Sequence, residues 1–113
     1  EQLVTSKLDF LELSNYELIV GDVKETVKNF SASSTLSAIF LDADLYEPYH
    51  YILSCLWPLL SVGGIVFLDE YYSLKFPGPR YAVNEFLKIN PSANLRCIES
   101  SVDTFERWIL EKV

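Results

Sequence analysis

Two apolar runs in this sequence each end in acidic residues. Ala38–Leu41 is followed by Asp42, and Ile65–Leu68 is followed by Asp69 and Glu70. Apolar side chains recur at helical spacing between the runs, so the pattern predicts a strand, a helix and a second, parallel strand. The carboxyl ends of neighbouring parallel strands meet at one edge of a sheet, where open α/β sheets bind ligands. We therefore expect the three acids to converge on a hard cation, a proton or a positively charged ligand.

The rest of the sequence extends this unit to a single α/β domain over residues 1–113. Two strand-like runs near the C-terminus are joined by a short polar turn, Ser100–Thr104, which predicts an antiparallel hairpin. Ser61–Gly64 is expected to end the helix between the two acidic runs. The predicted elements are a helix over 1–14, a strand over Tyr16–Val20, a helix over about 23–30, strands over Leu36–Leu41 and Ile65–Leu68, helices from Pro48 and over Arg80–Ile89, and strands over Leu95–Glu99 and Phe105–Glu111.

Charge and composition narrow the range of partners. Nine basic and sixteen acidic residues give a net charge of −7, which disfavours a nucleic-acid backbone or an anionic membrane surface as partner. No stretch reaches the roughly 18 apolar residues of a membrane span, and the first residues do not resemble a signal peptide. Cys55 and Cys97 lack metal-site spacing, so we expect two buried free thiols. These features predict a soluble cytoplasmic protein.

Four short motifs follow one another along the chain. They are Gly21-Asp22, the acidic strand end Leu41–Glu47, the turn and second acidic end in Leu59–Tyr71, and the helix start Phe76–Phe86. In this order they resemble the C-terminal part of a class I S-adenosylmethionine-dependent methyltransferase, and within that superfamily the chain is most similar to the macrocin O-methyltransferase (TylF-like) family. The resemblance runs from about Tyr16 to Phe86, and the final hairpin fits the antiparallel strand that closes this fold.

The resemblance implies a divalent ion, Mg²⁺, held by Asp42, Asp69 and Glu70 and bound to the hydroxyls of a small-molecule acceptor. Asp42 is also the candidate for taking the proton of the accepting hydroxyl. The chemistry suits these residue types, because carboxylate oxygens are the ligands that Mg²⁺ prefers and a carboxylate can act as a general base. Mg²⁺ lowers the pKa of an oxygen that it binds.

The resemblance also implies a cofactor, S-adenosylmethionine, with Asp22 near its adenine. Tyr71 and Arg80 would lie near the acceptor substrate. The candidate cofactor-binding residues are Gly21, Asp22, Val23, Asp42 and Tyr46.

The chain departs from the family pattern at three places. Glu70 stands where the family usually has Asp, and Pro48-Tyr49 stands where it has Ser-Thr. The glycine-rich turn after the first strand and the acid after the second strand, which supply much of the cofactor site, are absent from this sequence. We therefore expect a methyltransferase sheet that lacks its first two strands.

This omission would leave an apolar sheet edge exposed, because the family sheet has the strand order 3-2-1-4-5-7-6. An exposed edge is a site for pairing or aggregation. Three arrangements would resolve it: the chain is a fragment of a longer protein, the third strand pairs with the fourth, or two chains form a homodimer through their edges. We expect a fragment.

Simpler explanations exist for the same residues. Acids that follow strands are often solvated, Asp44 suits a turn or a helix cap, and Gly21-Asp22 is an ordinary turn sequence. Tyr71 could serve aromatic packing, and Arg80 could form a salt bridge at a helix start.

Two other functions compete with methyl transfer. Asp42-Ala43-Asp44 is a DxD motif of the kind found in glycosyltransferases, and the chain could be a non-catalytic remnant that binds a partner.

Overall fold

A computed structural model describes residues 2–30, 33–100 and 106–113, which form four helices and four strands. Two single 3₁₀ turns, Val27–Asn29 and Trp57–Leu59, continue the second and third helices. The helices are α1 (Gln2–Phe10), α2 (Val23–Thr26), α3 (Tyr46–Leu56) and α4 (Pro77–Ile89), and the strands are β1 (Leu36–Leu41), β2 (Leu60–Leu68), β3 (Ala93–Ser100) and β4 (Glu106–Lys112).

The four strands form one mixed sheet in the order β1-β2-β4-β3. β1 and β2 are parallel, and Leu41 pairs with Leu68 at their carboxyl ends. β4 is antiparallel to β2 and to β3, so the last two strands form the predicted hairpin. This order matches strands 4-5-7-6 of the sheet that the resemblance implies. The expected α/β fold with a C-terminal antiparallel hairpin is confirmed.

One face of the sheet and the two long helices enclose the core. The buried side chains of α3 are Tyr49, Ile52, Leu53 and Leu56, which recur at the spacing of a single helix face. They pack with buried residues of α4 and of the strands, among them Leu41, Val66, Leu68, Ala82, Val83, Phe86 and Leu110. This packing holds α3, which connects β1 to β2, against the sheet. It therefore also positions residues 42–45, the loop that joins β1 to α3.

The predicted strand over Tyr16–Val20 is wrong. These five residues are exposed and form no strand, because a strand needs a neighbour for its backbone hydrogen bonds and no described segment pairs with them. Among the described residues β1 pairs only with β2, so the pairing of the third strand with the fourth is also wrong. α1 ends at Phe10, short of the predicted 1–14, and Glu12 with a φ of 55° turns the chain away.

Ser61–Gly64 lies inside β2 as a bulge, whereas a break after a helix was predicted. The pairing register jumps from Leu36–Leu60 to Ala38–Ile65, so the extra residues loop out of the β2 side. Gly63 takes a φ of 79° there, which glycine adopts without strain. The strand therefore begins before the glycines, and the helix ends before them.

Smaller differences concern element ends and the cysteines. α3 and α4 begin at Tyr46 and Pro77, slightly ahead of the predicted starts. Cys55 is half-buried and Cys97 exposed, and both are free, so the expected burial is wrong. Residues 101–104 of the predicted turn and the predicted strand start at 105 lie outside the described residues. No described helix is long and apolar enough to cross a membrane.

Candidate active site

Two acidic segments leave the sheet side by side at the carboxyl ends of β1 and β2. Leu41 pairs with Leu68, and the N–H of Asp69 donates a hydrogen bond to the Leu41 carbonyl at 3.2 Å. The parallel ladder therefore continues one residue beyond the strands. As a consequence, Asp42 and Asp69 start from adjacent backbone positions, as the sequence predicts.

Three carboxylates form an acidic cluster, which consists of Asp42, Asp44 and Glu70. One oxygen of each lies within 4.8 Å of the other two. Asp42 and Asp44 are exposed and Glu70 is buried. Carboxylate oxygens at this spacing are hard ligands, and their number and type suit a cation such as Mg²⁺ that keeps several of its own waters.

A tight turn brings Asp44 into the acidic cluster. The N–H of Leu45 donates to the carbonyl of Ala43 at 2.5 Å, which closes a three-residue turn around Asp44. Asp44 has a φ of 57°, a conformation that aspartate tolerates better than most residues. The turn folds the Asp44 carboxylate back beside Asp42, so the turn position expected for Asp44 is also a cluster position.

Glu70 is held from beneath by Tyr49 of α3. The Tyr49 hydroxyl lies 2.8 Å from Oε2 of Glu70 and 2.9 Å from the Leu41 carbonyl, and the Glu70 N–H donates to it at 3.3 Å. Burial, together with the neighbouring carboxylates Asp42 and Asp69, raises the pKa of Glu70 to about 7, although the Tyr49 hydrogen bond acts in the opposite direction. Burial likewise raises the pKa of the Tyr49 hydroxyl, which stays protonated.

The acidic cluster opens into a cavity of about 330 Å³, here called the acidic pocket. Its walls combine carboxylates with aromatic and small polar side chains, and none of the described lining residues is a lysine or an arginine. The lining residues are Asp42, Asp44, Asp69, Glu70, Tyr72, Ser73, Phe76 and Glu106. Asp69, a predicted metal ligand, therefore lies in the same pocket, although the close group contains Asp44 in its place.

A second pocket, of about 440 Å³, lies between the start of α2 and the start of α3. The Asp22 side chain caps α2 by accepting a hydrogen bond from the Lys24 N–H at 2.8 Å. Lys24 and Glu47 form an ion pair at 2.7 Å between the two helices. The lining residues are Asp22, Val23, Lys24, Leu45, Tyr46, Glu47 and Pro48.

The structure brings together most of the predicted cofactor residues. Asp22, Val23 and Tyr46 line the second pocket, and Gly21 precedes them with a φ of 149°. Asp42 lies apart from them, in the acidic pocket.

The two predicted substrate residues lie behind the acidic pocket and do not line it. Tyr71 is buried, packs against Trp108 at 5.1 Å between ring centres, and donates its hydroxyl to Asn84 at 3.1 Å. Arg80 donates to the Tyr71 carbonyl at 2.9 Å and lies over the rings of Tyr71 and Tyr72. Together they anchor the turn that follows β2.

Sequence reasoning missed the residues that complete this site. Tyr49 falls among the side chains that recur at helical spacing between the two acidic runs, and nothing in that pattern distinguishes its hydroxyl. Glu106 falls within the predicted strand Phe105–Glu111. It lines the acidic pocket, and its carboxylate accepts the Trp108 indole N–H at 2.7 Å.

Comparison with protein families gives one match. A family model described as a methyltransferase domain matches residues 5–71, which is more than half of the chain and includes both acidic segments. No curated protein sequence matches the chain.

Solved structures show the same fold. The O-methyltransferase NovP matches with a TM-score of 0.83 and 26% identity, over 100% of this chain and 45% of NovP. CalS11, a TDP-rhamnose 3′-O-methyltransferase of calicheamicin biosynthesis, matches with a TM-score of 0.67 and 31% identity, over 83% of this chain and 40% of CalS11. An rRNA methylase from Streptococcus thermophilus has a TM-score of 0.66 at 18% identity, over 100% of this chain and 69% of that protein, and shows the fold alone. The chain spans less than half the length of NovP and CalS11.

Proposed function

The chain belongs to the methyltransferase domain family, and from this premise we propose that it forms the acceptor side of an S-adenosylmethionine-dependent, metal-assisted O-methyltransferase. The acceptor is a hydroxyl of a small molecule, and a sugar hydroxyl is our leading candidate. The resemblance to TylF-like enzymes implies the same cofactor, metal and kind of acceptor. Two similar structures, NovP and CalS11, are O-methyltransferases, and CalS11 acts on a sugar.

The observation that carries the proposal is the acidic cluster at the carboxyl edge of β1 and β2. Asp42, Asp44 and Glu70 place hard oxygen ligands at the floor of a pocket large enough for a small ligand. Unpaired carboxylates this close together repel one another, so a cation stabilises the arrangement. The donor set fits Mg²⁺.

Methyl transfer needs a deprotonated hydroxyl and an aligned sulfonium. The acceptor oxygen forms a bond to the methyl carbon while the carbon–sulfur bond breaks, and the hydroxyl proton leaves. Asp42, Asp44 and Glu70 would hold Mg²⁺, which would supply positive charge that favours the deprotonated hydroxyl. Asp42 is exposed at the pocket floor and takes the proton as general base.

The second pocket is the candidate for the adenine side of S-adenosylmethionine. Asp22 and Val23 at the start of α2 and Tyr46 at the start of α3 line it. The sequence contains no glycine-rich turn to hold the rest of the cofactor, so we expect these residues to supply only part of the binding energy.

Titration of Mg²⁺ into the chain tests the metal site. We expect wild type to bind Mg²⁺ in calorimetry, and Asp42→Asn and Glu70→Gln to lose at least about tenfold in affinity. Asp44→Asn and Asp69→Asn distinguish the cluster seen in the structure from the predicted ligand set, because only the true third ligand should weaken binding. Equal Mg²⁺ affinity in all five proteins would overturn the metal site.

Titration of S-adenosylhomocysteine, with and without Mg²⁺, tests the cofactor. Micromolar binding that weakens in Asp22→Ala supports a methyltransferase site in this chain. No binding by a folded sample, as judged by its near-ultraviolet circular dichroism, would favour the non-catalytic alternative.

The glycosyltransferase alternative depends on the DxD motif alone. Asp42 and Asp44 both lie in the acidic cluster, which is compatible with that motif. The family and the structural comparisons point to methyltransferases instead. A nucleotide sugar should therefore not bind with Mn²⁺, and tight binding would revive this alternative.

A further inference from the structure

We propose that Tyr49 is the positioning residue that fixes Glu70 as a ligand of the metal. This inference rests on the metal site proposed above. Tyr49 belongs to α3, does not line the acidic pocket and is not part of any motif described above.

The Tyr49 hydroxyl connects three backbone and side-chain groups at the floor of the site. It lies 2.8 Å from Oε2 of Glu70 and 2.9 Å from the carbonyl of Leu41, the last residue of β1. It also accepts the N–H of Glu70 at 3.3 Å. The single hydroxyl therefore bridges the ends of both strands, and the Tyr49 side chain that carries it is fully buried.

A glutamate ligand needs such a partner more than an aspartate does. Its side chain has one more rotatable bond, and fixing that bond costs conformational entropy when a metal binds. With Oε2 held by Tyr49, the carboxylate is oriented before the metal arrives, and its second oxygen is left for the acidic cluster. Hydrogen bonds that orient metal ligands are typically worth about 10- to 100-fold in metal affinity.

A double-mutant cycle on Mg²⁺ affinity tests this unit. Calorimetry would compare wild type, Tyr49→Phe, Glu70→Asp and the double variant, each checked for a cooperative thermal transition. We expect each single variant to lose about tenfold and the double variant to lose little more than either, because both remove the same oriented ligand. Tyr51→Phe is the matched control, since it removes a hydroxyl from the same helix away from the cluster, and its Mg²⁺ affinity should equal that of wild type.

A spectroscopic measurement on the unmutated chain does not depend on the folding of Tyr49→Phe. In protein labelled at the tyrosine ring carbon that bears the hydroxyl, Mg²⁺ should shift the Tyr49 resonance and leave that of Tyr51 in place. The shift should disappear in Asp42→Asn.

The outcomes separate the two proposals. A wild type that binds no Mg²⁺ overturns the metal site and the role of Tyr49 together. A wild type that binds Mg²⁺ while Tyr49→Phe binds it equally well, or while the single losses simply add, overturns only the role of Tyr49. If Tyr49→Phe does not fold, a Tyr49 resonance that does not shift when Mg²⁺ is added overturns the role of Tyr49.

Discussion

Glu70 carries the largest electrostatic conflict in the described part of the site. Its carboxylate is only 5% exposed and faces two other acids, so its charged form is disfavoured and its pKa rises to about 7. A proton or a cation resolves the conflict equally well. The residue that best serves as a metal ligand is therefore also the one that destabilises the empty site at high pH.

The pH dependence of stability should reveal this residue. The pKa of Glu70 is about 7 in the folded chain against an ordinary value of 4.5. Between these values the folded state binds more protons than the unfolded state, so the free energy of unfolding falls as pH rises. We expect Glu70 to contribute a loss of about 3 kcal/mol between pH 4.5 and pH 8, measured by urea denaturation.

Glu70→Gln is the control for this effect, because it keeps the shape of the side chain and removes its titration. The difference between wild type and Glu70→Gln isolates Glu70 from the other acids. Added Mg²⁺ should restore the stability of wild type at pH 8, since it binds the folded state, and should stabilise Glu70→Gln less, because that variant binds Mg²⁺ more weakly. A difference that stays constant with pH would contradict the shifted pKa.

Sequence reasoning located the acids of this site but not their arrangement. Asp42 and Asp69 follow directly from the apolar runs, because parallel strands must end together. Whether Asp44 or Asp69 joins the close group depends on a turn with a positive φ, which no pattern of apolar residues encodes. The support of Glu70 by Tyr49 depends on how α3 packs across the two strands.

At the scale of elements, the first turn of α4 packs closely against the first residue of α3, and the residue at this contact is Gly78. A Cβ added to Gly78 would lie 2.6 Å from the backbone nitrogen of Tyr46, a contact that only a backbone shift can relieve. We expect Gly78→Ala to lower the free energy of unfolding by about 1–3 kcal/mol, measured by urea denaturation. Lys88→Ala, an exposed change in the same helix, should stay within about 0.5 kcal/mol of wild type. Equal stability of Gly78→Ala and Lys88→Ala would contradict this packing.

Lys112, at the end of β4, hydrogen-bonds the segment that connects α3 to β2. The Lys112 ammonium donates to the carbonyls of Leu60 and Trp57 at 2.7 and 3.0 Å, and it lies over the Trp57 ring. Lys112→Met keeps the aliphatic stem but leaves these carbonyls without their charged donor. We expect a loss of about 1–2 kcal/mol in thermal or urea unfolding. Lys88→Met should have no comparable effect, and a similar loss in both variants would show that the carbonyl contacts contribute nothing.

The elements also show where apolar patterns stop being informative. Tyr16–Val20 has the composition of a strand, yet it forms none, because strand formation depends on a partner elsewhere in the chain. Ser61–Gly64 has the composition of a break, yet it lies within β2, because a bulge accommodates the glycines without ending the pairing. The hairpin of β3 and β4 was predictable since its two strands are each other's partners and lie close in sequence.

At the scale of the whole molecule, apolar side chains are unevenly covered. α1 has no buried residue, and the segment after it exposes several large side chains. On the sheet, Phe40 of the edge strand β1 is 65% exposed and stacks on Phe67 at 4.8 Å between ring centres. β1 also has an unpaired side among the described strands. Edge and apolar patch therefore coincide, while α3 and α4 protect the opposite face.

We expect this edge to make the isolated chain self-associate through pairing of β1 with a second copy. Unpaired backbone groups next to an apolar patch favour such pairing, whereas a charge placed there opposes it. Analytical ultracentrifugation should show a mass that rises with concentration for wild type, and Phe40→Lys should shift the equilibrium toward monomer by at least about tenfold. Leu74→Lys, which also removes an exposed apolar side chain but lies in the segment between β2 and α4 and not on β1, should leave association unchanged. Equal association of the two variants would show that the chain associates through another surface. A wild type that stays monomeric at all concentrations would show that repulsion from the net charge of −7 exceeds the attraction between the β1 edges.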